Sequence, residues 1–302
     1  MIVFAASDKG GTGRSVTSAN LAYQRALGGD DVCYLDFDFG SPTAVAVFDV
    51  PGAPRGDGLH AYLTGHIGEP LRLDVWRLTE HAVLSHKPNG AGRLVLLPGD
   101  GGGGEFATDQ EVVQRCADLM LRLNSEFDLI IVDLSAGRSY AVDMALEVTA
   151  RPEMRGVETR WLVFHRWTRQ HVKAVHGLVF EEFGILEAGE ERGHDRAALR
   201  DAVRFVRAAV PDPDSPLWSH VSPAQSAWMR ACDETLRRLA AELGIGDSRV
   251  LGTVPLEPVL QWREQLITDA DVVSTQIANK ETLEAFTELA RRLTDDTYWG
   301  QL

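Results

Sequence analysis

The chain has 302 residues, 44% hydrophobic and 25% charged, with a formal net charge of −14. A chain of this size and make-up forms one large domain or two modest ones and buries about three quarters of its unfolded surface without disulfide or metal staples. The acidic excess excludes broad, sequence-blind adhesion to nucleic acid or anionic membrane, whose phosphates it repels.

In chain order, short apolar runs alternate with helix-period segments, the pattern of a parallel sheet covered by helices. Ile2 to Ala6 is a buried strand ending in a Gly-rich turn, and Ser15 to Leu27 follows as a helix. Val32 to Leu35 is a second strand that ends on acids. Arg93 to Leu97, closed by Pro98, is a third, and the glycines at 101 to 104 make a loop after it. Asp109 to Leu123 is a helix with Asp109 as its N-cap. Leu129 to Val132, Trp161 to Phe164 and Val250 to Val254 complete the strands. Residues 184–248 are charged, rich in Ala and Arg, and broken by PDPDSP at 211–216; they read as a helical insertion within a single domain spanning 1–302. Glu281 to Leu293 is an amphipathic helix followed by a loose tail, DDTYWGQL.

Cys33, Cys116 and Cys232 are far apart in the sequence, so they are expected as reduced thiols rather than a disulfide frame or a zinc site. The opening MIVFAASDKGG has no basic stretch before an apolar run, and no apolar run reaches the ~18 residues of a membrane span, so a cytoplasmic, soluble chain is expected. Only four of the 30 basic residues are lysines, which makes Lys9 hard to dismiss as background.

Lys9 lies in Ser7-Asp8-Lys9-Gly10-Gly11-Thr12-Gly13-Arg14-Ser15, between a strand and a helix. Glycines let backbone N–H groups curl around phosphate oxygens, and the next helix points its positive end at the same anion. Ser15 offers a hydroxyl to Mg²⁺. Alone, such a turn could be a bare strand–helix connection. It is joined, however, by Leu35-Asp36-Phe37-Asp38-Phe39-Gly40 and by Ile130-Ile131-Val132-Asp133-Leu134-Ser135-Ala136-Gly137, each placing carboxylates at a strand C-terminus, where α/β sheets bind ligands.

Together KGGTGRS, LDFDFG and IIVDLSAG resemble the deviant Walker A, A′ and B motifs of the MinD/ParA P-loop ATPases. LGTVPLEPVLQWREQLI resembles the family's last strand, its nucleotide-base loop at Pro255 and the next helix. The resemblance covers roughly 1–180 and 249–295 and implies a doubly wound α/β fold with a mostly parallel sheet. It further implies an ATP site on Gly10, Gly11, Thr12, Gly13, Arg14 and Ser15, with Mg²⁺ held by Ser15, Asp36 and Asp133. By the same resemblance Asp38 positions the hydrolytic water, Gly137 senses the γ-phosphate, and Lys9 reaches the phosphates of a second subunit in an ATP-held homodimer that recruits a protein partner. Several positions depart from the pattern. Arg14 stands where the family has the P-loop lysine, Asp8 adds a negative charge at the loop entrance, and Val16 replaces a second hydroxyl. The strand with the family's adenine-reading Asn, due after the 167–180 helix, is not recognisable. Two functions are therefore expected as alternatives: an ATP-dependent dimerising switch with slow or absent hydrolysis, or a non-hydrolysing scaffold acting through protein contacts.

The cluster His165-Arg166-Trp167-Thr168-Arg169-Gln170-His171 follows a strand near the crevice, so Arg166 or Arg169 can touch nucleotide or partner, but the tryptophan is expected to pack and the rest to be solvated. The spacing of His171 and His176 does not give one helical face for a metal. The C-terminal helix KETLEAFTELARRLTDD has no net basic excess, so no membrane recruitment is expected, and DNA binding weak or absent.

Overall fold

Ile2, Phe4 and Ala6 bury on one face of β1 (Ile2–Ser7), and Val3 and Ala5 on the other. The same two-sided burial recurs in β2 (Val32–Phe37) and β5 (Leu129–Leu134), as expected of strands in a sheet covered on both faces. The computed structural model describes residues 1–300 except 103, 105, 107, 108, 213, 216 and 217. Parts of the predicted glycine loop, the PDPDSP break and the tail therefore lie outside the described residues.

Eight strands form one sheet. The others are β3 (Leu73–Asp74), β4 (Leu94–Leu97), β6 (Thr159–Arg166), β7 (Val203–Val210) and β8 (Val250–Pro255), in the order β3-β4-β2-β5-β1-β6-β7-β8. Only the two-residue β3 runs antiparallel. Six helices exceed ten residues among the described residues: α1 (Arg14–Leu27), α2 (Gln110–Glu126), α3 (Tyr140–Ala150), α4 (Arg169–Phe180), α5 (Pro223–Glu242) and α6 (Lys280–Leu293). The apolar cores of α2, α3 and α4 pack on the face that holds Phe4, whereas α1 and α6 pack on the opposite face. This is the doubly wound arrangement expected. No helix among the described residues is long and apolar enough to cross a membrane, and α6 buries its Phe286, Leu289 and Leu293 against the sheet.

Asp109 caps α2 as its position predicts, accepting from the N–H groups of Glu111 and Val112 at 3.0 and 2.9 Å. Asp109→Ala is expected to cost about 1 kcal/mol in urea unfolding, because two first-turn donors lose their acceptor.

The segment 184–248 is not wholly helical. Its centre, Val203–Val210, is strand β7, which pairs in parallel with β6 and β8 and separates them. Arg204 and Arg207 hide this strand in the sequence, since both are buried and alternate with apolar residues as if solvated. Arg204 donates from Nε to the Tyr298 carbonyl at 2.8 Å and from Nη2 to the Gly300 carbonyl at 3.0 Å, beneath Trp299. Arg207 donates to Asp247 at 2.7 Å and lies 4.0 Å over the Trp167 ring. Buried guanidinium groups need such partners; the tail supplies them for Arg204, whereas Arg207 bonds through Nη1 alone and leaves Nε and Nη2 without a hydrogen-bond partner among the described residues. The strand missing from the sequence reading after the 167–180 helix is thus present.

Candidate functional site

β1 carries Ser7 to the C-terminal edge of the sheet, and the loop 8–13 turns back into α1. Gly11 and Gly13 adopt φ of 71° and 77°, left-handed values that suit glycine, and Gly13 is the N-cap of α1. No side chain caps α1, and its first turn lines the cleft, an arrangement that can take an anion. The cleft is a crevice of about 620 Å³ whose lining includes the loop 9–15, Asp38, Arg166, Pro255 and Gln261. It lies at the carboxyl ends of the parallel strands, where the motifs placed it.

Arg14 is the centre of the site. It is 6% exposed, and its guanidinium turns inward onto two carboxylates. Nε donates to Asp133 Oδ1 at 2.5 Å, Nη2 donates to Asp38 Oδ2 at 2.9 Å, and Nη1 donates to Ser7 Oγ at 3.3 Å. Burial works against the charge of Arg14, but the fields of Asp133 and Asp38 outweigh it and hold the guanidinium more firmly protonated than usual. β5 and β2 are in register at Asp133 and Asp36, which brings the two acidic strand ends together over the loop. Ser7, which the motif reading did not single out, accepts from Arg14 and donates to the Lys9 carbonyl at 3.1 Å. A serine at the last position of β1 is the signal that could have marked it.

The other predicted residues gather here, with differences in detail. Asp36 is wholly buried, and its two oxygens accept the N–H groups of Asp38 at 3.2 Å and Ala44 at 3.0 Å. It therefore shapes the loop that carries Asp38. Ser15 Oγ accepts weakly from Arg14 Nη2 at 3.5 Å. Gly137, at φ 79°, donates its N–H to the Ser7 carbonyl at 2.7 Å, fastening the loop after β5 to the phosphate loop. Lys9 is half-buried and enters no ion pair among the described residues; its charge lies close enough to add to burial in lowering the His171 pKa. Arg166, expected from the sequence to be solvated, lines the crevice, while Trp167 packs as expected and donates to Asp233 at 2.7 Å. Beside Arg166, β7 brings Ala208 and Ala209 to the crevice, where they offer backbone but no amide side chain to a base.

Pro255 lies on a wall that is tied down from two sides. Buried Glu257 accepts from Asn279 N at 2.8 Å and from Thr282 Oγ1 at 2.8 Å at the start of α6. Asn20 on α1 donates to the Gln265 carbonyl at 3.1 Å and accepts from Ile267 N at 2.8 Å. Trp262, on this same wall, is 91% exposed.

No family model matches the sequence, and no curated protein matches it. Solved structures do. The chain is similar to MinD in the MinC:MinD cell division complex of Aquifex aeolicus, with TM-score 0.60, 16% identity, and 97% of this chain and 95% of that chain covered. It is also similar to the Pyrococcus horikoshii septum site-determining protein MinD complexed with Mg-ADP, with TM-score 0.55, 17% identity, and coverages of 98% and 96%. A putative plasmid partition protein of Borrelia burgdorferi bound to AMPPNP gives TM-score 0.59, 13% identity and 97% of both chains. The fold is that of the MinD/ParA P-loop ATPases.

Within the MinD/ParA fold the resemblance assigned Ser15, Asp36 and Asp133 to Mg²⁺, and this arrangement does not fit the ion. Asp36 is engaged with backbone N–H groups, while Asp133 and Ser15 accept from Arg14. Among the described residues no group of three or more His, Cys, Asp or Glu side chains is set to hold a metal.

Proposed function

We propose that the chain is a nucleotide-binding switch of the MinD/ParA type that binds ATP, dimerises around it and positions a protein partner, with slow or absent hydrolysis. The observation that carries this reading is the uncapped start of α1, which opens behind Gly11 and Gly13 onto a crevice of about 620 Å³, within the range of ordinary small-molecule sites. Nucleotide-bound relatives in fold, one with Mg-ADP and one with AMPPNP, support the ligand class. The MinC:MinD complex supports a protein partner, and Trp228 and Trp262 are exposed aromatic anchors of the kind such contacts use.

Weak hydrolysis follows from Asp38. Arg14 holds its Oδ2 at 2.9 Å, and a carboxylate paired with a guanidinium is a poorer base toward a water. That same ion pair favours the second reading, a scaffold that keeps the fold and binds no nucleotide. Titration calorimetry with ATP and GTP separates the two. The switch predicts saturable binding and a nucleotide-dependent shift to dimer in size exclusion, with the shift abolished in Lys9→Ala. No heat up to millimolar nucleotide supports the scaffold. Neither reading includes membrane recruitment or tight DNA binding.

A further inference from the structure

A divalent cation of the magnesium class takes about six oxygen ligands at ~2.0–2.1 Å. Arg14 takes up one oxygen each of Asp133, Asp38 and Ser15 in this crevice. It reaches Asp133 Oδ1 at 2.5 Å, Asp38 Oδ2 at 2.9 Å and Ser15 Oγ at 3.5 Å, while both oxygens of Asp36 accept backbone N–H groups. Asp133 Oδ2 is the one buried side-chain oxygen without a partner among the described residues, and a divalent ion bound there would sit against the like charge of the guanidinium held on the same carboxylate. We propose that the Arg14 guanidinium is the resident cation of the Asp38–Asp133 pair and closes the site to divalent metal, so that the crevice takes a nucleoside polyphosphate in its metal-free form.

Three features hold the guanidinium in place. It stays charged at every working pH, so it cannot yield its position by losing a proton. It is 6% exposed, so a metal that displaced it would leave a bare charge in a poorly solvated pocket or force the loop open. Its forked N–H groups meet carboxylates delivered by two different strands, a span that suits a planar fork and not a compact ammonium. Phosphate binding then falls to the loop N–H groups, the start of α1 and Lys9.

The identity of the ligand rests on the nucleotide reading above; the exclusion of metal does not, and the experiment separates them. Nucleotide-free protein is titrated with Mn²⁺ at physiological salt, reading free Mn²⁺ by electron paramagnetic resonance. The wild type is expected to show no stoichiometric site, and Asp133→Asn the same titration. Arg14→Met, which keeps the unbranched apolar stem and removes the charge, is expected to gain one site per chain and bind Mn²⁺ at least about tenfold more tightly. A wild-type site that disappears in Asp133→Asn overturns the proposal, and so does an Arg14→Met protein that folds and gains none. Should Arg14→Met fail to fold, the other two titrations still decide. A fluorescent ADP analogue is then titrated with and without EDTA. Equal affinity is expected, and a tenfold loss on chelation overturns the metal-free ligand. Absence of binding in both buffers rejects the nucleotide reading and leaves the manganese result to decide the exclusion.

Discussion

Arg14→Ala is expected to destabilise the folded chain by about 3–5 kcal/mol in urea unfolding at neutral pH, the usual cost of breaking a buried ion pair from one side. Asp133 has no solvent exposure and Asp38 is 22% exposed, so the first carboxylate would be stranded and the second partly rehydrated. Loss of the donor to Ser7 Oγ adds to the cost. Nothing in helix propensity offsets this, since Arg and Ala both suit an early helical position. Lys9→Ala provides the internal contrast: its ammonium enters no ion pair among the described residues, and changes of that kind stay within about 0.5 kcal/mol. The reverse order, with Lys9 structurally important and Arg14 dispensable, would show that Arg14 does not rest on the carboxylates in solution. A stable Arg14→Ala protein would also remove the physical basis for treating Asp38 as occupied.

Much of the sheet is legible because its strands are short, wholly apolar and closed by Gly, Pro or Asp. β1, β2, β5 and β8 each begin where the apolar run begins and extend one or two residues beyond it, because the crevice-side strand ends carry residues that break the run: Ser7, Asp36, Asp133 and Pro255. β7 is hidden for the opposite reason. Arg204 and Arg207 break the apolar pattern, and their partners come from the chain end and from Asp247, too distant in sequence to be read locally. β3 has two residues, too few for any periodicity.

The site divides along the same line. The glycines of the phosphate loop are readable because each required conformation is local, and the acids because strand ends are local. Which groups pair is not local. Arg14 meets Asp133 across 119 residues of sequence, and the sequence reading placed Arg14 on a phosphate where the fold places it on a carboxylate. Gly137 is a milder case: its predicted loop is present, but its N–H is spent on Ser7 O.

The stability of the chain is expected to peak near pH 6.5 and to fall by about 2 kcal/mol between there and pH 8. Burial, reinforced by the charge of Asp133 and then opposed by the N–H groups of Ala44 and Asp38, pushes the Asp36 carboxyl up to about 8. An unfolded Asp ionises near pH ~3.9, so through the interval between these values the native state holds a proton that the unfolded state has lost. That contribution is complete below the unfolded value and disappears as pH rises through 8. His165 has the opposite sign. Burial, with the charge of Arg207, lowers it to about 4, so the unfolded state gains a proton first and stability falls with pH below about 6.5. His60 and His171, lowered chiefly by burial, steepen the acid limb. Above pH 6.5 these histidines are neutral in both states, and Asp36 sets the fall, opposed in part by the Met1 amino group, which burial lowers from its ordinary 8.0. Asp36→Asn should therefore flatten the limb from pH 6.5 to 8 while keeping the acid limb, at some overall cost, since one of its two backbone donors loses an acceptor. His165→Gln should do the reverse. Urea midpoints measured at pH 5, 6.5 and 8 on the three proteins are sufficient. An alkaline limb that survives unchanged in Asp36→Asn would mean that the Asp36 proton is not the one being lost, and that the pair of acids at the ends of β2 and β5 carries its charge in some other way.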